Sequence, residues 1–183
     1  MSRYRRVRLD GGVFFFTVVT YQRQPILNTE LGVHCLRNAW RQTNATMPFE
    51  VEAVCVLPDH LHTIWALPEG DRDYPARWRK LKGIFSREYR AGGGSCGEVN
   101  LSRRRNREVG LWQRRYWEHR IRDADDFRRH VEYTHFNPVK HGHVKRVPDW
   151  PYSSFHNLVK RGWIEVDWGT VEPDDIVSLD AGE

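Results

Sequence analysis

The pattern of apolar and polar residues along the chain predicts four β-strands. Residues 13–20 form an uninterrupted run of β-branched and aromatic side chains after a glycine pair, which is typical of a buried strand. In residues 49–57, one set of alternate positions is apolar (Phe49, Val51, Ala53, Cys55) and the other holds Glu50, Glu52 and Val54. Residues 60–67 follow after a short connection at Pro58 and Asp59. These two segments predict a pair of neighbouring strands. Residues 111–122 contain the predicted fourth strand.

Helical periodicity appears between these strands and after them. Apolar side chains recur at helical spacing in residues 29–44 and again in residues 75–89. Residues 123–136 begin with three acidic residues, which favour the N-terminus of a helix. We expect this helix to end or bend just before Pro138, which cannot continue the hydrogen-bond ladder. A short last helix is predicted at residues 152–161.

The predicted order is strand, helix, strand, strand, helix, strand and a further helix. This is the βαββαβ pattern of a ferredoxin-like sandwich with an added C-terminal helix, so we expect an α+β fold with an antiparallel sheet. One domain is expected over residues 1–168. Residues 91–109 combine a glycine cluster with arginines and predict a mobile basic loop, whereas the acidic residues 169–183 predict a disordered tail. Many unrelated functions share this fold, so the site has to indicate the function.

Charge is distributed unevenly along the chain. The net charge is +5, yet residues 77–122 carry 14 Lys and Arg against 4 Asp and Glu, whereas residues 165–183 carry 7 acidic residues and no basic one. A concentrated basic segment favours a polyanionic partner, because each neutralised phosphate releases condensed counterions. The distribution therefore indicates nucleic-acid binding, although a solvated helix face gives the same pattern.

The distribution of apolar residues and cysteines indicates the cellular compartment of the protein. Apolar residues make up 39 % of the chain, and no apolar run approaches the roughly 20 residues that cross a bilayer. The three cysteines lie far apart, with neither the CxxC spacing of a zinc site nor the even number of a disulfide framework. We therefore expect a cytoplasmic protein without a membrane partner.

Two histidines, His60 and His62, flank Leu61 in the third predicted strand. Side chains alternate between the two faces of a strand, so both imidazoles project from one face while Leu61 packs on the other. Two neutral imidazoles placed in this way can bind a divalent cation. Paired histidines also occur on strands without a metal, so this motif alone does not define a site.

A second candidate group lies on the helix predicted at residues 123–136. Tyr133 and Asn137 are four residues apart and share one helical face, and His130 lies one turn earlier on nearly the same face. Tyr133 offers a phenol oxygen as a nucleophile, and Asn137 offers an amide oxygen as a third metal ligand. Tyrosines at helical spacing are also common in protein cores, and an Asn-Pro pair also serves as a plain helix terminator.

Together, the two groups provide what attack on a phosphodiester requires. A cation bound by His60, His62 and Asn137 would polarise the phosphate. The same cation would activate the phenol of Tyr133, whose free pKa is about 10. Two histidines, an amide oxygen and open positions suit Mg²⁺ or Mn²⁺. A covalent phosphotyrosine conserves the energy of the broken bond, so one site can both cleave and rejoin strands.

Several motifs of this chain resemble those of a known family. His60-Leu61-His62 resembles the HUH motif, in which two histidines flank a hydrophobic residue. The segments LPDHLHTIW, WQRRYWEHRIRDADDFRRHVEY and YTHFNPVKHG are similar to those of REP-associated tyrosine transposases, a bacterial branch of the IS200-like single-tyrosine HUH transposases. The resemblance extends from about Tyr4 to Trp168, with the motifs in the expected order. The loop at residues 91–109 departs from the family pattern in being longer.

This resemblance implies a metal-dependent enzyme that cuts and rejoins single-stranded DNA. Tyr133 matches the nucleophile of the family, His60 and His62 match its metal-binding histidines, and Asn137 matches its third ligand. The family recognises repetitive extragenic palindromes (REPs), which form DNA hairpins. We therefore expect Tyr133 to attack a phosphate of such DNA, leaving a 5′-phosphotyrosine and a free 3′ hydroxyl. Insertion-sequence relatives act as dimers, whereas the REP-associated branch is expected to act as monomers, so a monomer is favoured here.

Basic and aromatic residues outside this group are candidates for DNA contact. Arginine pairs bidentately with guanine edges and neutralises phosphates, and aromatic rings stack on unpaired bases. Of Trp112, Tyr116 and Trp117, we expect at most one to meet DNA, because aromatic residues in a strand usually pack in the core. The predicted DNA-binding residues are Arg3, Arg5, Arg6, Arg8, Arg79, Lys82, Arg103, Arg104, Arg105, Arg114, Arg115 and His130.

Two other functions are compatible with the sequence. A domesticated relative would bind DNA hairpins without cutting them, although such a protein has no need for all four site residues. A metal phosphoesterase would use an activated water instead of Tyr133 and would form no covalent intermediate.

Overall fold

The computed structural model describes residues 12–169 and Ala181. The described residues include four strands: β1 (Val13–Val19), β2 (Glu50–Val56), β3 (His60–Ala66) and β4 (Trp117–Arg120). These strands form one antiparallel sheet in the order β2-β3-β1-β4. The sheet confirms the ferredoxin-like prediction.

Five α-helices and two 3₁₀ turns connect the strands or follow them. The helices are α1 (Glu30–Thr46), α2 (Tyr74–Ala91), α3 (Leu101–Arg105), α4 (Ala124–Lys140) and α5 (Phe155–Lys160), and the 3₁₀ turns span Tyr21–Arg23 and Val147–Asp149. Helices α1 and α2 pack on one face of the sheet, and α4 and α5 pack on the other. The predicted βαββαβ order with an added tyrosine-bearing helix is therefore confirmed.

Strand β1 is buried on both faces because helices cover the sheet on each side. Phe14 and Phe16 pack with residues of α1 and α2, whereas Val13 and Phe15 pack with residues of α4 and α5. All seven residues of the strand are buried. Burial of both faces explains why β1 reads as a continuous apolar run rather than as an alternating one.

The two histidines of β3 face α4. Leu61 packs in the core beneath α1 and α2, whereas Ile64, on the opposite face, packs in the core beneath α4. His60 and His62 share the face of Ile64, and they pair across the ladder with Val19 and Thr17 of β1. The predicted placement of Leu61 on the opposite face is confirmed.

Helix α4 differs from the prediction at its end. It begins after Asp123, whose carboxylate accepts a hydrogen bond from the backbone N–H of Asp126 and so caps the first turn. It continues through Pro138 to Lys140, and the N–H of His141 still bonds to the carbonyl of Asn137. Proline removes one N–H from the ladder, and in this helix the flanking hydrogen bonds are sufficient to carry the last turn past it. We expected the helix to end or bend just before Pro138, and the ending is wrong, because the helix continues to Lys140.

The predicted basic loop contains a short helix, and the predicted basic arm and most of the acidic tail lie outside the described residues. Within residues 91–109 the structure contains the short helix α3, capped by the side chain of Asn100. The basic N-terminal arm, with Arg3, Arg5, Arg6 and Arg8, lies outside the described residues, as does most of the acidic tail. Among the helices of the described part of the chain, none is long and apolar enough to cross a membrane.

Candidate active site

The four residues predicted for catalysis and metal binding converge between β3 and α4. The ring centroids of His60 and His62 are 5.0 Å apart, and the ring of Tyr133 meets that of His62 edge-on at 5.2 Å. The amide oxygen of Asn137 lies 3.4 Å from Nε2 of His60. All four side chains are buried, and Tyr133 is only 1 % exposed. The two histidines of β3 therefore form one cluster with Tyr133 and Asn137 of α4.

The imidazole of His60 is held by a carboxylate. Nδ1 of His60 lies 2.6 Å from Oδ1 of Asp59, and the guanidinium of Arg23 donates to Oδ2 of the same carboxylate at 3.0 Å. Burial alone would raise the pKa of Asp59, but the hydrogen bonds and charges of His60 and Arg23 lower it to about 2. An ionised carboxylate only accepts hydrogen bonds, so Nδ1 of His60 carries the proton. In the neutral ring, Nε2 then has the lone pair and faces Asn137.

The imidazole of His62 is held in the same tautomer by a hydroxyl. Nδ1 of His62 lies 2.9 Å from Oγ1 of Thr17, whose only hydrogen is donated to the carbonyl oxygen of Ala181 at 2.6 Å. Oγ1 therefore accepts from Nδ1 of His62, and the lone pair of the neutral ring is on Nε2.

These atoms fit a divalent cation. Two imidazole nitrogens with lone pairs and one amide oxygen are ligands that Mn²⁺ and other divalent ions accept. Nε2 of His60 lies 3.4 Å from the amide oxygen of Asn137, and with the ring proton on Nδ1 both atoms offer lone pairs to a cation between them. Metal-binding histidines commonly donate the other ring N–H to a carboxylate or another acceptor, as His60 and His62 do here.

Two residues that the sequence did not predict adjoin this cluster. The ammonium of Lys140 donates to the hydroxyl of Tyr133 at 3.1 Å and also lies over its ring, 4.8 Å from the centroid. The ring of His141 lies 5.2 Å from the ring of His60. Both residues follow Asn137 within one further turn of α4. The spacing would have indicated them if the helix had been expected to continue past Pro138.

A second group of possible metal ligands lies where β4 meets α4. One ligand atom from each of His119, Asp126 and His130 lies within 4.8 Å of the other two, a grouping that is consistent with a divalent metal. The group is also joined by hydrogen bonds: Nε2 of His119 lies 2.8 Å from Oδ2 of Asp126, and the N–H and guanidinium of Arg122 donate to the same oxygen. A cation there would compete with Arg122 for the carboxylate.

Buried Asp126 stays ionised within this group. Burial would raise its pKa, but the hydrogen bonds from His119 and Arg122 lower it to about 2. Nδ1 of His130 donates to the backbone carbonyl of Asp126 at 2.8 Å, and the side chain of His130 is buried. Burial is the main cause that lowers the pKa of His130. His130 is thus buried where β4 meets α4. We had expected its side chain to contact DNA.

Two other predicted DNA-binding residues contact the protein itself. The guanidinium of Arg103 lies over the ring of Tyr21 at 4.1 Å, donates to the carbonyl of Trp112 and pairs with Glu108. Lys82 donates to the carbonyl of Gln113 at 3.2 Å, and burial lowers its pKa to about 8. Both side chains therefore bond to the backbone of the segment before β4, at Trp112 and Gln113.

The remaining described basic residues of the prediction are exposed. Arg114 bonds to Glu108 and Ser102 and is half-exposed as a side chain. The other members of this exposed set are Arg79, Arg104, Arg105 and Arg115. The three aromatic residues near β4 pack internally: Trp112 against Phe85, Tyr116 against Trp78, and Trp117 against His119.

The fold and the cluster together define a protein class in which a ferredoxin-like sheet presents paired histidines to a tyrosine-bearing helix. The chain is 43 % identical, over all of its length and 98 % of the relative, to the REP-associated tyrosine transposase of Escherichia coli K12. It is 46 % identical over 92 % of its length, and over 94 % of the relative, to a Haemophilus influenzae protein that carries the same family name.

A solved structure of a REP-associated tyrosine transposase bound to a REP hairpin is 42 % identical to the chain, with a TM-score of 0.77, and the match covers 100 % of this chain and 98 % of that one. No family model matches the chain. On the strength of these relatives, the chain belongs to the family of REP-associated tyrosine transposases.

Proposed function

We propose that the protein is a metal-dependent transposase that cleaves and rejoins single-stranded DNA at REP-type palindromic hairpins, with Tyr133 as nucleophile. One observation carries the proposal: the ring of Tyr133 lies against the imidazole of His62, which in turn adjoins the imidazole of His60, and the amide oxygen of Asn137 lies beside His60. The relative that was solved with a REP hairpin supports the choice of substrate.

The reaction is a transesterification. The oxygen of Tyr133 forms a bond to the scissile phosphorus, and the bond between phosphorus and the 3′ oxygen breaks. The products are a 5′-phosphotyrosine and a free 3′ hydroxyl, so the phenol loses a proton and the leaving oxygen gains one. Attack by a 3′ hydroxyl on the phosphotyrosine reverses these steps and rejoins the DNA without a nucleotide cofactor.

The residues around Tyr133 would stabilise its negative charge and bind the metal ion. The ammonium of Lys140 donates to the nucleophilic oxygen and stabilises negative charge on it. His60, His62 and Asn137 would hold Mg²⁺ or Mn²⁺, which supplies a Lewis acid for the scissile phosphate. The hydroxyl belongs to a side chain that is 1 % exposed, so DNA has to open this cluster before a phosphate reaches it.

The wider surface supports a DNA partner. The exposed arginines Arg79, Arg104, Arg105 and Arg115 suit contacts with phosphates, which position DNA without reading its sequence. We propose one catalytic domain over residues 1–168, acting as a monomer on hairpin DNA.

The test is incubation of the protein with a labelled REP hairpin oligonucleotide and Mn²⁺, followed by a denaturing gel. The proposal expects a covalent adduct with the wild-type protein and none with Tyr133→Phe. Cleavage without any adduct would identify the phosphoesterase that uses water, and tight binding without cleavage would identify a non-catalytic hairpin binder. An adduct with Tyr133→Phe would show that another residue is the nucleophile.

A further inference from the structure

The turn that follows β1 is built around the connection between β2 and β3. The backbone N–H and the hydroxyl of Thr20 both donate to the carbonyl of Asp59, at 2.8 and 2.9 Å. The N–H of Leu27 donates to the carbonyl of Pro58 at 2.9 Å. These bonds hold Asp59 at the start of β3, directly before the first histidine of the candidate site.

The same turn contains an unfavourable backbone conformation. Gln22 and Arg23 have φ angles of 54° and 51°, in the left-handed region that L side chains rarely adopt. Two such residues in succession persist only where the surrounding structure fixes them. The conformation brings the guanidinium of Arg23 to Oδ2 of Asp59, at 3.0 Å.

The carboxylate of Asp59 is shared between its two partners. Oδ2 accepts from Arg23, which leaves Oδ1 to accept from Nδ1 of His60 at 2.6 Å. His60 is almost fully buried, whereas the side chain of Asp59 is 19 % exposed and that of Arg23 is 46 % exposed. The partner on Nδ1 determines which nitrogen of His60 carries the lone pair and how the ring is turned.

We propose that Asp59, oriented by Arg23, is a positioning residue for the candidate site: it keeps Nε2 of His60 directed at Asn137 as a ligand atom. The role rests on the proposed function, since it assumes that His60 binds a divalent cation. Neither Asp59 nor Arg23 contacts the DNA or the cation in this role. On His62, the corresponding ring nitrogen, Nδ1, has a neutral partner, the hydroxyl of Thr17.

Mn²⁺ affinity measured by electron paramagnetic resonance on the full chain without DNA tests this role. Asp59→Ala is expected to weaken Mn²⁺ binding about 10- to 100-fold, the usual effect of removing such a partner. Arg23→Ala is expected to weaken it by a smaller factor, and Arg23→Lys is expected to restore part of the loss. Arg146→Ala is the matched control, because Arg146 is also an exposed arginine paired with an aspartate, Asp149.

Long-range ¹H–¹⁵N NMR spectra of the histidine rings give a second readout that a merely structural role would not change. In the neutral ring, wild-type His60 is expected to carry its proton on Nδ1, which faces the carboxylate of Asp59. Asp59→Ala is expected to shift the ring towards a mixture of tautomers, while circular dichroism reports an intact fold. If Asp59→Ala does not fold, Arg23→Ala retains the carboxylate and provides the same two readouts.

The outcomes separate this inference from the proposed function. Unchanged Mn²⁺ affinity and an unchanged His60 tautomer in the folded variants overturn the positioning role, even if the wild-type protein forms its phosphotyrosine. Conversely, weakened Mn²⁺ binding with the expected tautomer change supports the positioning role even if no covalent adduct forms, and in that case only the proposed reaction fails.

Discussion

The ammonium of Lys140 donates a hydrogen bond to the hydroxyl of Tyr133 at 3.1 Å. Tyr133 lies two helical turns before Lys140 on α4. Side chains on a helix point back towards its N-terminus, so a long lysine can reach a residue seven positions earlier. The contact depends on the continuation of α4 through Pro138, because a helix that ended at Asn137 would not place Lys140 on this face. The proposed nucleophile, Tyr133, and the ammonium of Lys140 thus lie on the same helix.

Lys140→Ala is expected to slow formation of the covalent adduct about 10- to 100-fold. A hydrogen bond to a charged group contributes roughly 1.5–3 kcal/mol, and here it stabilises the charge that develops on the phenol oxygen. Single-turnover gels with hairpin DNA measure the rate. Lys145→Ala removes an exposed lysine five residues further on and serves as the control. A loss in Lys140→Ala no larger than that in the control would remove Lys140 from the reaction.

His60→Ala is expected to abolish Mn²⁺-dependent cleavage while the affinity for hairpin DNA stays within a few-fold. The substitution removes a proposed metal ligand, whereas phosphate contacts elsewhere dominate binding. Cleavage assays and filter binding on the same preparation measure the two effects. His143→Ala, at an exposed histidine of the same region, is expected to retain both activities. Unchanged cleavage in His60→Ala would exclude the paired histidines from the metal site.

Arg103 and Arg105 are expected to behave differently although they are two residues apart. Arg103→Ala should destabilise the fold by about 1–3 kcal/mol, because the residue is only 9 % exposed and its guanidinium bonds to Trp112 and Glu108. Arg105→Ala should leave the free energy of unfolding unchanged and should lower the salt dependence of hairpin binding by about 0.7–0.9 in log–log slope, as for one lost phosphate contact.

Urea unfolding and binding titrations in several salt concentrations measure these quantities. An unchanged stability in Arg103→Ala would contradict its assignment to the interior. A salt slope in Arg105→Ala equal to that of the wild type would contradict a phosphate contact.

His135 is expected to make the protein less stable as the pH falls. Its ring is fully buried and bonds through Nδ1 to the hydroxyl of Ser153, and burial lowers its pKa from 6.5 to about 3. Below about pH 6.5, His135 is therefore protonated in the unfolded chain but stays neutral in the folded chain until the pH approaches 3. The free energy of unfolding should fall from about pH 6.5 towards pH 3, by about 1.4 kcal/mol per pH unit for this group.

His135→Gln retains an amide for Ser153 but cannot take up that proton. The difference between wild type and variant in the pH slope of the unfolding free energy isolates the contribution of His135, because the buried carboxylates are common to both. His34→Gln, at an exposed histidine, is the matched control substitution. Equal slopes in wild type and His135→Gln would show that the ring is protonated inside the fold.

The parts of the site that could be predicted from sequence are those set by local periodicity. The shared face of His60 and His62 follows from the alternation of a strand, and the shared face of Tyr133 and Asn137 follows from the helical repeat. That these two pairs meet was implied by the resemblance to a family, because no local pattern specifies which face of a sheet a distant helix covers.

The parts that could not be predicted depend on tertiary contacts. Arg103 is buried against Tyr21, a partner 82 residues earlier in the chain, and its sequence context of neighbouring arginines resembles a surface segment. Asp126 and His130 are four residues apart on α4, but His119 meets them only because the chain turns from a strand into a helix, so no single period brings all three together in a sequence pattern. Lys140 and His141 were missed because proline was expected to end the helix.

Anomalous diffraction from crystals of the protein soaked in Mn²⁺ tests the proposed metal site most directly. We expect an anomalous peak about 2 Å from Nε2 of His60, from Nε2 of His62 and from the amide oxygen of Asn137, next to the ring of Tyr133. A peak confined to the group of His119, Asp126 and His130, with none at the paired histidines, would contradict it.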